Sequence, residues 1–220
     1  MFKYIFTIIS LLQGMVLPAQ TAVRNEPRHH NVFENDYVRV LDVYIPPNDT
    51  TQFHLHNTPS VFITFTRTQT GSEIKGQQPE RSSSTAGFTW FDSLNTPRLH
   101  RVWNEDNTWF HVMDIELTGS ESGNNEQLLN NPSLQLLYNE SLVNVYKLEI
   151  KDILEIKLPP SKKGYLLISL GDVLIEMERD SIPQHRKMKA GHYIWMEAGK
   201  SLAIIYCKTI HAKFTLLQLK

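Results

Sequence analysis

Cysteine is nearly absent: Cys207 is the single thiol in 220 residues. A disulfide framework within the chain is therefore excluded, and so is an N-terminal lipidation cysteine. Cys207 sits in the apolar run Ala203-Ile204-Ile205-Tyr206-Cys207 and reads as a small buried hydrophobe. An excess of either charge is also lacking. The chain carries 22 Lys and Arg against 23 Asp and Glu, a net charge of -1, so neither a nucleic-acid footprint nor a polybasic membrane patch is indicated. Hydrophobic residues make up 41% and charged residues 20%, which places the chain with ordinary globular proteins and not with disordered ones. The one leader-like apolar stretch, Tyr4 to Leu12, is too short and too lightly flanked for a stable membrane span. It follows Lys3 and precedes Leu17-Pro18-Ala19, the pattern of a signal peptide cleaved after Ala19. An uncleaved anchor is the alternative. Residues 1–19 are thus expected to be a signal peptide, and the mature chain to be exported, to the periplasm or the extracellular space.

Helical periodicity is scarce beyond that point. Val38 to Ile45 is a β-rich run stopped by Pro46-Pro47-Asn48-Asp49. Strands are expected over Gln52 to His56, Val61 to Arg67, Phe88 to Phe91 and Trp109 to Leu117. Gly71 to Gly87 reads as a long exposed hairpin or loop. Trp109 to Leu117 alternates, and His111, Met113, Ile115 and Leu117 are taken as its inward set. Gly119 to Pro132 is polar and linker-like, with at most one helical turn over Glu126 to Leu129. The strand pattern then restarts at Leu142 to Ile150, with a second Pro-Pro at Pro159-Pro160 and a hairpin expected around Gly171-Asp172. Ala190-Gly191-His192-Tyr193-Ile194-Trp195 parallels Ala86-Gly87-Phe88-Thr89-Trp90-Phe91, and Asn139 parallels Asn35 at the same spacing. Two copies of one β-module follow, an N-terminal domain over 20–118, a linker over 119–137 and a C-terminal domain over 138–220.

Chemistry concentrates in Gln52-Phe53-His54-Leu55-His56. Residues i and i+2 of a strand share a face, so the two imidazoles project together. His100 follows in Leu99-His100-Arg101-Val102-Trp103-Asn104. His54, His56 and His100 are the candidate ligands of a divalent transition metal (Fe, Mn, Zn, Cu or Ni), with coordination positions left open. The competing reading of any one histidine is a hydrogen-bonded core residue. Gln52, His111, Arg67, Trp90, Arg98 and Asn104 are candidate pocket residues. Arg101, Trp103 and Trp109 are weaker candidates, each equally readable as surface charge or packing.

These motifs resemble those of the cupin superfamily. His54 and His56 match its His-x-His, Gly87 the glycine opening its second motif, and His100 with Asn104 its His-x3-Asn. The resemblance covers residues 31–117, with 138–218 as a degenerate copy that lacks His-x-His. It implies an all-β bicupin of two tandem double-stranded β-helix (jelly-roll) barrels, with a metal in the mouth of the first. Three departures stand out. The motif glutamate is replaced by Ser60 or Val61, Pro97 stands in place of a glycine, and the first motif's opening glycine is missing. Losing the glutamate removes a negative charge and favours an anionic co-ligand.

The implied activity is that of a metal-dependent oxidoreductase of dioxygenase type, acting on a small organic molecule. Two other classes compete: a non-catalytic module binding a sugar or carboxylate, and a cupin-type isomerase with histidine as base and a tyrosine as acid. A small-molecule ligand and no nucleic acid are expected as partners. A homodimer is implied by analogy with cupin barrels. Outside the cytoplasm, the affinity order favours Cu(II) and Zn(II) over Fe(II) and Mn(II). His185 and His192 lack paired spacing; His192 is expected to pack beside Ile194 and Met196.

Overall fold

The structure is a computed structural model that describes residues 20–121, 126–151, 156–179, 182–207 and 211–220. The expected signal segment and the side chain of Cys207 lie outside what it describes. The first module runs β1 (Thr21–Ala22), β2 (His29–Glu34), β3 (Val38–Ile45), β4 (His54–His56), β5 (Ser60–Thr64), β6 (Thr68–Ile74), β7 (Glu80–Ser84), β8 (Thr89–Asp92), β9 (Arg98–Asn104) and β10 (Phe110–Leu117). The second runs β11 (Leu134–Asn139), β12 (Val143–Ile150), β13 (Ile156–Leu158), β14 (Tyr165–Ser169), β15 (Val173–Arg179), β16 (Ile182–Met188), β17 (Tyr193–Met196), β18 (Leu202–Cys207) and β19 (Ala212–Leu219). The described residues are all-β apart from one 3-10 turn at Val23–Asn25, as the turn-punctuated, β-branched sequence leads one to expect.

Each module is two sheets packed face to face. In the first, β2-β3-β10-β5-β8 faces β1-β4-β9-β6-β7; in the second, β11-β12-β19-β14-β17 faces β13-β18-β15-β16. The strand orders are the same, apart from β1. Equivalent positions follow from the registers. Asp114 lies between Leu41 and Phe62, and Leu216 between Tyr146 and Leu167. His54 pairs with His100 as Leu158 pairs with Leu202, and His29 pairs with Val43 as Leu134 pairs with Leu148. Gly87 and Gly191 take the same left-handed turn, at φ +81° and +82°. Their amides donate to the matching carbonyls of Thr64 and Ser169.

The broad sheets of the two modules also pack on each other. Val38, Val40, Val61, Ile63, Met113, Ile115 and Leu117 meet Val143, Val145, Leu166, Ile168, Leu217 and Leu219 in one apolar cluster. The opposite faces line the two barrel interiors. The second interior is filled by side chains such as Tyr146, Leu148, Met177, Met188, Phe214 and Leu216. The first holds a smaller apolar floor of Val23, Leu41, Val43, Ile45, Phe62, Phe110 and Val112, and leaves room above it.

Several expectations change here. Both faces of β10 are buried, so alternation does not mark inside from outside. Met113, Ile115 and Leu117 point at the second module, and Val112 and Asp114 face the first barrel's cavity. Gly171-Asp172 is not a hairpin turn. It carries the chain from β14 to β15 in the facing sheet, and β15 pairs with β16 and β18. β11 begins at Leu134, inside the expected linker. His192 is exposed in the turn before β17 and does not pack with Ile194 and Met196.

Candidate metal centre

The short strand β4 presents His54 and His56 inward, both almost fully buried at 1% and 2% exposure, while Phe53 and Leu55 turn the other way and stay partly exposed. β9 runs antiparallel beside it and sets His100 opposite His54. The three rings lie within 5.0 Å of each other, centroid to centroid. A fourth imidazole arrives from the opposite sheet: His29 at the start of β2 is 4.8 Å from the His54 ring and 6.4 Å from that of His56. The ligand nitrogens that come within 4.8 Å of one another are those of His29, His54 and His56. His100 packs edge-on against the pair, and its Nε2 is buried without a hydrogen-bond partner.

The outward sides of these rings have acceptors. His54 Nδ1 donates to the Gln52 carbonyl at 2.8 Å, so Nε2 keeps its lone pair for the cavity. His29 Nδ1 lies 2.8 Å from Glu26. Glu26 is a hub at 1% exposure, also receiving the amides of Arg28 and Gln52. Burial alone would raise its pKa, but hydrogen bonds from His29, Arg28 and Gln52 hold it down to about 2. His56 Nδ1 faces Asp114 Oδ2 at 3.5 Å, an ion-pair distance and too long for a good hydrogen bond. Neither that nitrogen nor either Asp114 oxygen has a hydrogen-bond partner.

Burial and mutual repulsion keep His54, His56 and His100 uncharged. His54 is pushed down to about 4 by burial and the neighbouring His29, and His100 to about 3 by burial and His54. His56 is lowered further still, by burial, His100 and His54. Neutral imidazoles with inward lone pairs are the form that binds metal. Together with the unpartnered nitrogens, this makes the donor set fit a divalent cation.

The histidines sit in a cavity of about 580 Å³ between the two sheets. One wall is aromatic: Phe62 stacks on Trp90 at 4.9 Å, and Trp90 on the exposed Phe88 at 5.6 Å. The facing wall is polar, with Thr70, Ser72, Gln77 and Ser82. Arg98, beside His56 in the register, lines the cavity and pairs with Asp92 at 2.6 Å.

Of the candidate pocket residues, Trp90 and Arg98 are in this wall. The others lie elsewhere. Gln52 is exposed and serves the site through its backbone, because β4 starts only at His54. Arg67 is exposed just before β6. Asn104 is buried beneath the β9–β10 turn, donating to the carbonyls of Ile45, Pro46 and Thr108. His111 points toward the second module, bonded to Asp42 at 2.7 Å and stacked on Tyr44. Arg101 pairs with Glu73 over Phe53, Trp103 bonds Glu105, and Trp109 is exposed. His29, Glu26 and Asp114 are absent from the sequence reading. His29 lacked a spaced partner. Asp114 could be found only by asking why a carboxylate should alternate into a strand buried on both faces.

No protein-family profile matches the chain, and no curated protein matches it. Solved structures do. A cupin 2 conserved barrel domain protein from Leptotrichia buccalis superposes with a TM-score of 0.56 at 9% identity, covering 87% of this chain and 88% of that one. YhhW from Escherichia coli gives 0.58 at 13% identity, covering 91% and 88%. Salicylate 1,2-dioxygenase from Pseudaminobacter salicylatoxidans gives 0.58 at 8% identity, covering 83% and 71%. A variant of that dioxygenase is known in complex with gentisate. At these identities the likeness is one of fold: the chain has the cupin jelly-roll fold.

Proposed function

We propose that the mature, exported chain is a bicupin whose first barrel binds one divalent transition metal and oxidises a small organic molecule, as a dioxygenase-type enzyme. The observation that carries the reading is the convergence of four imidazoles from two facing sheets on one cavity, His54 and His56 buried and His29 and His100 half-buried, three with their Nδ1 sides turned to outer groups. A bound metal would supply open positions for oxygen and substrate. His54 and His56 would hold it from β4, with His100 and His29 on either side. The chain's own residues do the rest. Val112, Phe62 and Trp90 exclude water, the Phe88–Trp90–Phe62 stack receives a flat ring, and Arg98 can orient a carboxylate. Small aromatic acids are therefore the first substrates to test, a choice supported by the gentisate complex of the fold neighbour. Export rests on the composition of residues 1–19.

The decisive measurement is elemental analysis of protein purified with and without oxygen, alongside a His54→Ala/His56→Ala double variant. About one metal per chain in the wild type and little in the variant is expected. Equal metal content in both would defeat the site. Oxygen uptake with aromatic acids separates enzyme from binder. A metal-free protein that is stabilised by a sugar or carboxylate would favour the non-catalytic reading, for which the missing motif glutamate speaks. The isomerase reading has less support: no tyrosine is among the described cavity-lining residues to serve as the acid opposite His56.

A further inference from the structure

We infer that Asp114 is a positioning residue for the metal centre: from β10 it fixes the ring of His56 and supplies, behind the ligand, the negative charge that Ser60 cannot. The inference rests on the metal reading above.

Two buried groups face each other with their hydrogen-bonding capacity unused. Asp114 is 1% exposed, and both of its oxygens lack partners; so does Nδ1 of His56, 3.5 Å away. Leaving a carboxyl in that condition is costly, and native interiors rarely tolerate it without a purpose. A cation on Nε2 of His56 resolves both at once. The imidazole must then carry its proton on Nδ1, and the nearest acceptor is Asp114. The same arrangement is already present at its neighbours, with His29 backed by Glu26 and His54 by the Gln52 carbonyl. Asp114 completes the set, and two carboxylates then stand behind three neutral ligands.

The duplicated module provides the control. At the position of Asp114 it carries Leu216, set between Tyr146 and Leu167 as Asp114 is between Leu41 and Phe62. His54 and His29 become Leu158 and Leu134 in the same registers, since Leu202, the partner of Leu158, is the counterpart of His100. The fold thus accepts leucine at this place, and the carboxyl goes together with the histidines. A requirement of the fold would have kept it in both copies.

The test is a Zn(II) titration, against a chromophoric chelator, of chelator-stripped full-length mature protein. It compares wild type, Asp114→Asn, Asp114→Leu and the His54→Ala/His56→Ala variant. Removal of an outer carboxylate weakens metal affinity by roughly 10–100-fold. That loss is expected in both Asp114 variants, with metal-free melting temperatures equal to or above wild type. The Co(II) absorption spectrum should shift in Asp114→Asn, a change that a purely structural role would not produce. Zn(II) affinity within twofold of wild type overturns the role of Asp114 and leaves the metal reading standing. Lowered metal-free melting temperatures in both variants overturn it as well, because Asp114 would then serve the fold. A wild type that binds no Zn(II) or Co(II) overturns the metal reading itself, and this inference with it.

Discussion

Nδ1 of His29 lies 2.8 Å from a carboxylate oxygen of Glu26, three residues earlier in the chain, with the Glu26 side chain wholly shielded from solvent. The pair ties the chain ahead of β2 to the loop before β4, since Glu26 also accepts from the Gln52 amide.

Acid should release this tie. The pKa of Glu26 is lowered from 4.5 to about 2, so its stabilisation is present above pH 4.5 and is lost as pH falls toward 2. The shift corresponds to at most about 3.5 kcal/mol. Urea midpoints at pH 7 and pH 3 should differ in wild type by more than in Glu26→Gln, whose midpoint at pH 7 should already be lower. Parallel pH dependence in the two proteins would refute the assignment.

Metal retention should outlast ordinary histidine titration. His54 and His100 are depressed to about 4 and about 3, so protons compete for these nitrogens only in that range. Dialysis at stepwise lower pH should leave metal bound at pH 5.5 and release it as pH falls through 4. Half-release near pH 6.5 would contradict the described burial.

Alkali should weaken the metal-free protein. Burial, aided by the charge of Glu116, pushes Asp114 from 3.8 up to about 8. Its contribution is fully present below pH 3.8 and is lost as pH rises through about 8. Denaturant midpoints of metal-free protein at pH 6 and pH 9 should therefore fall in wild type and stay level in Asp114→Asn. A level wild-type profile would count against a buried acid.

Two glycines offer a paired test of the module junction. Gly191 has φ +82°, and a Cβ there would sit 2.9 Å from Cε1 of His111. Gly171 has open space around it. Gly191→Ala should destabilise by about 1–3 kcal/mol, through a backbone conformation that L-residues disfavour and displacement of the His111 ring. Gly171→Ala should stay within about 0.5 kcal/mol of wild type. Thermal melting of both variants decides it.

The strands and their duplication were readable because β-branched runs and Pro or Gly turns mark them locally. Val38–Ile45 and the Ala86-Gly87/Ala190-Gly191 pair are instances. Strand partners were less so. Nothing in Gly171-Asp172 distinguishes a hairpin from a crossing between facing sheets. The His54, His56 and His100 cluster was legible from strand parity and motif order. His29 was not, because its approach depends on how the two sheets face each other. Alternation failed at β10 for a definite reason: in a sheet packed on both sides, the apolar face of Met113 and Ile115 marks the neighbouring module, and the polar-looking face of Asp114 marks the cavity.

The apolar layer shared by the two broad sheets lets the second barrel act as a built-in partner subunit. A histidine-rich, partly hollow barrel is a poor stabiliser of itself. Here it leans on a solid copy whose described interior is apolar. Any scheme that cuts the chain between Leu117 and Leu134 and expresses the first barrel alone would lay bare a greasy plane, and self-association is the fate to anticipate for such a fragment.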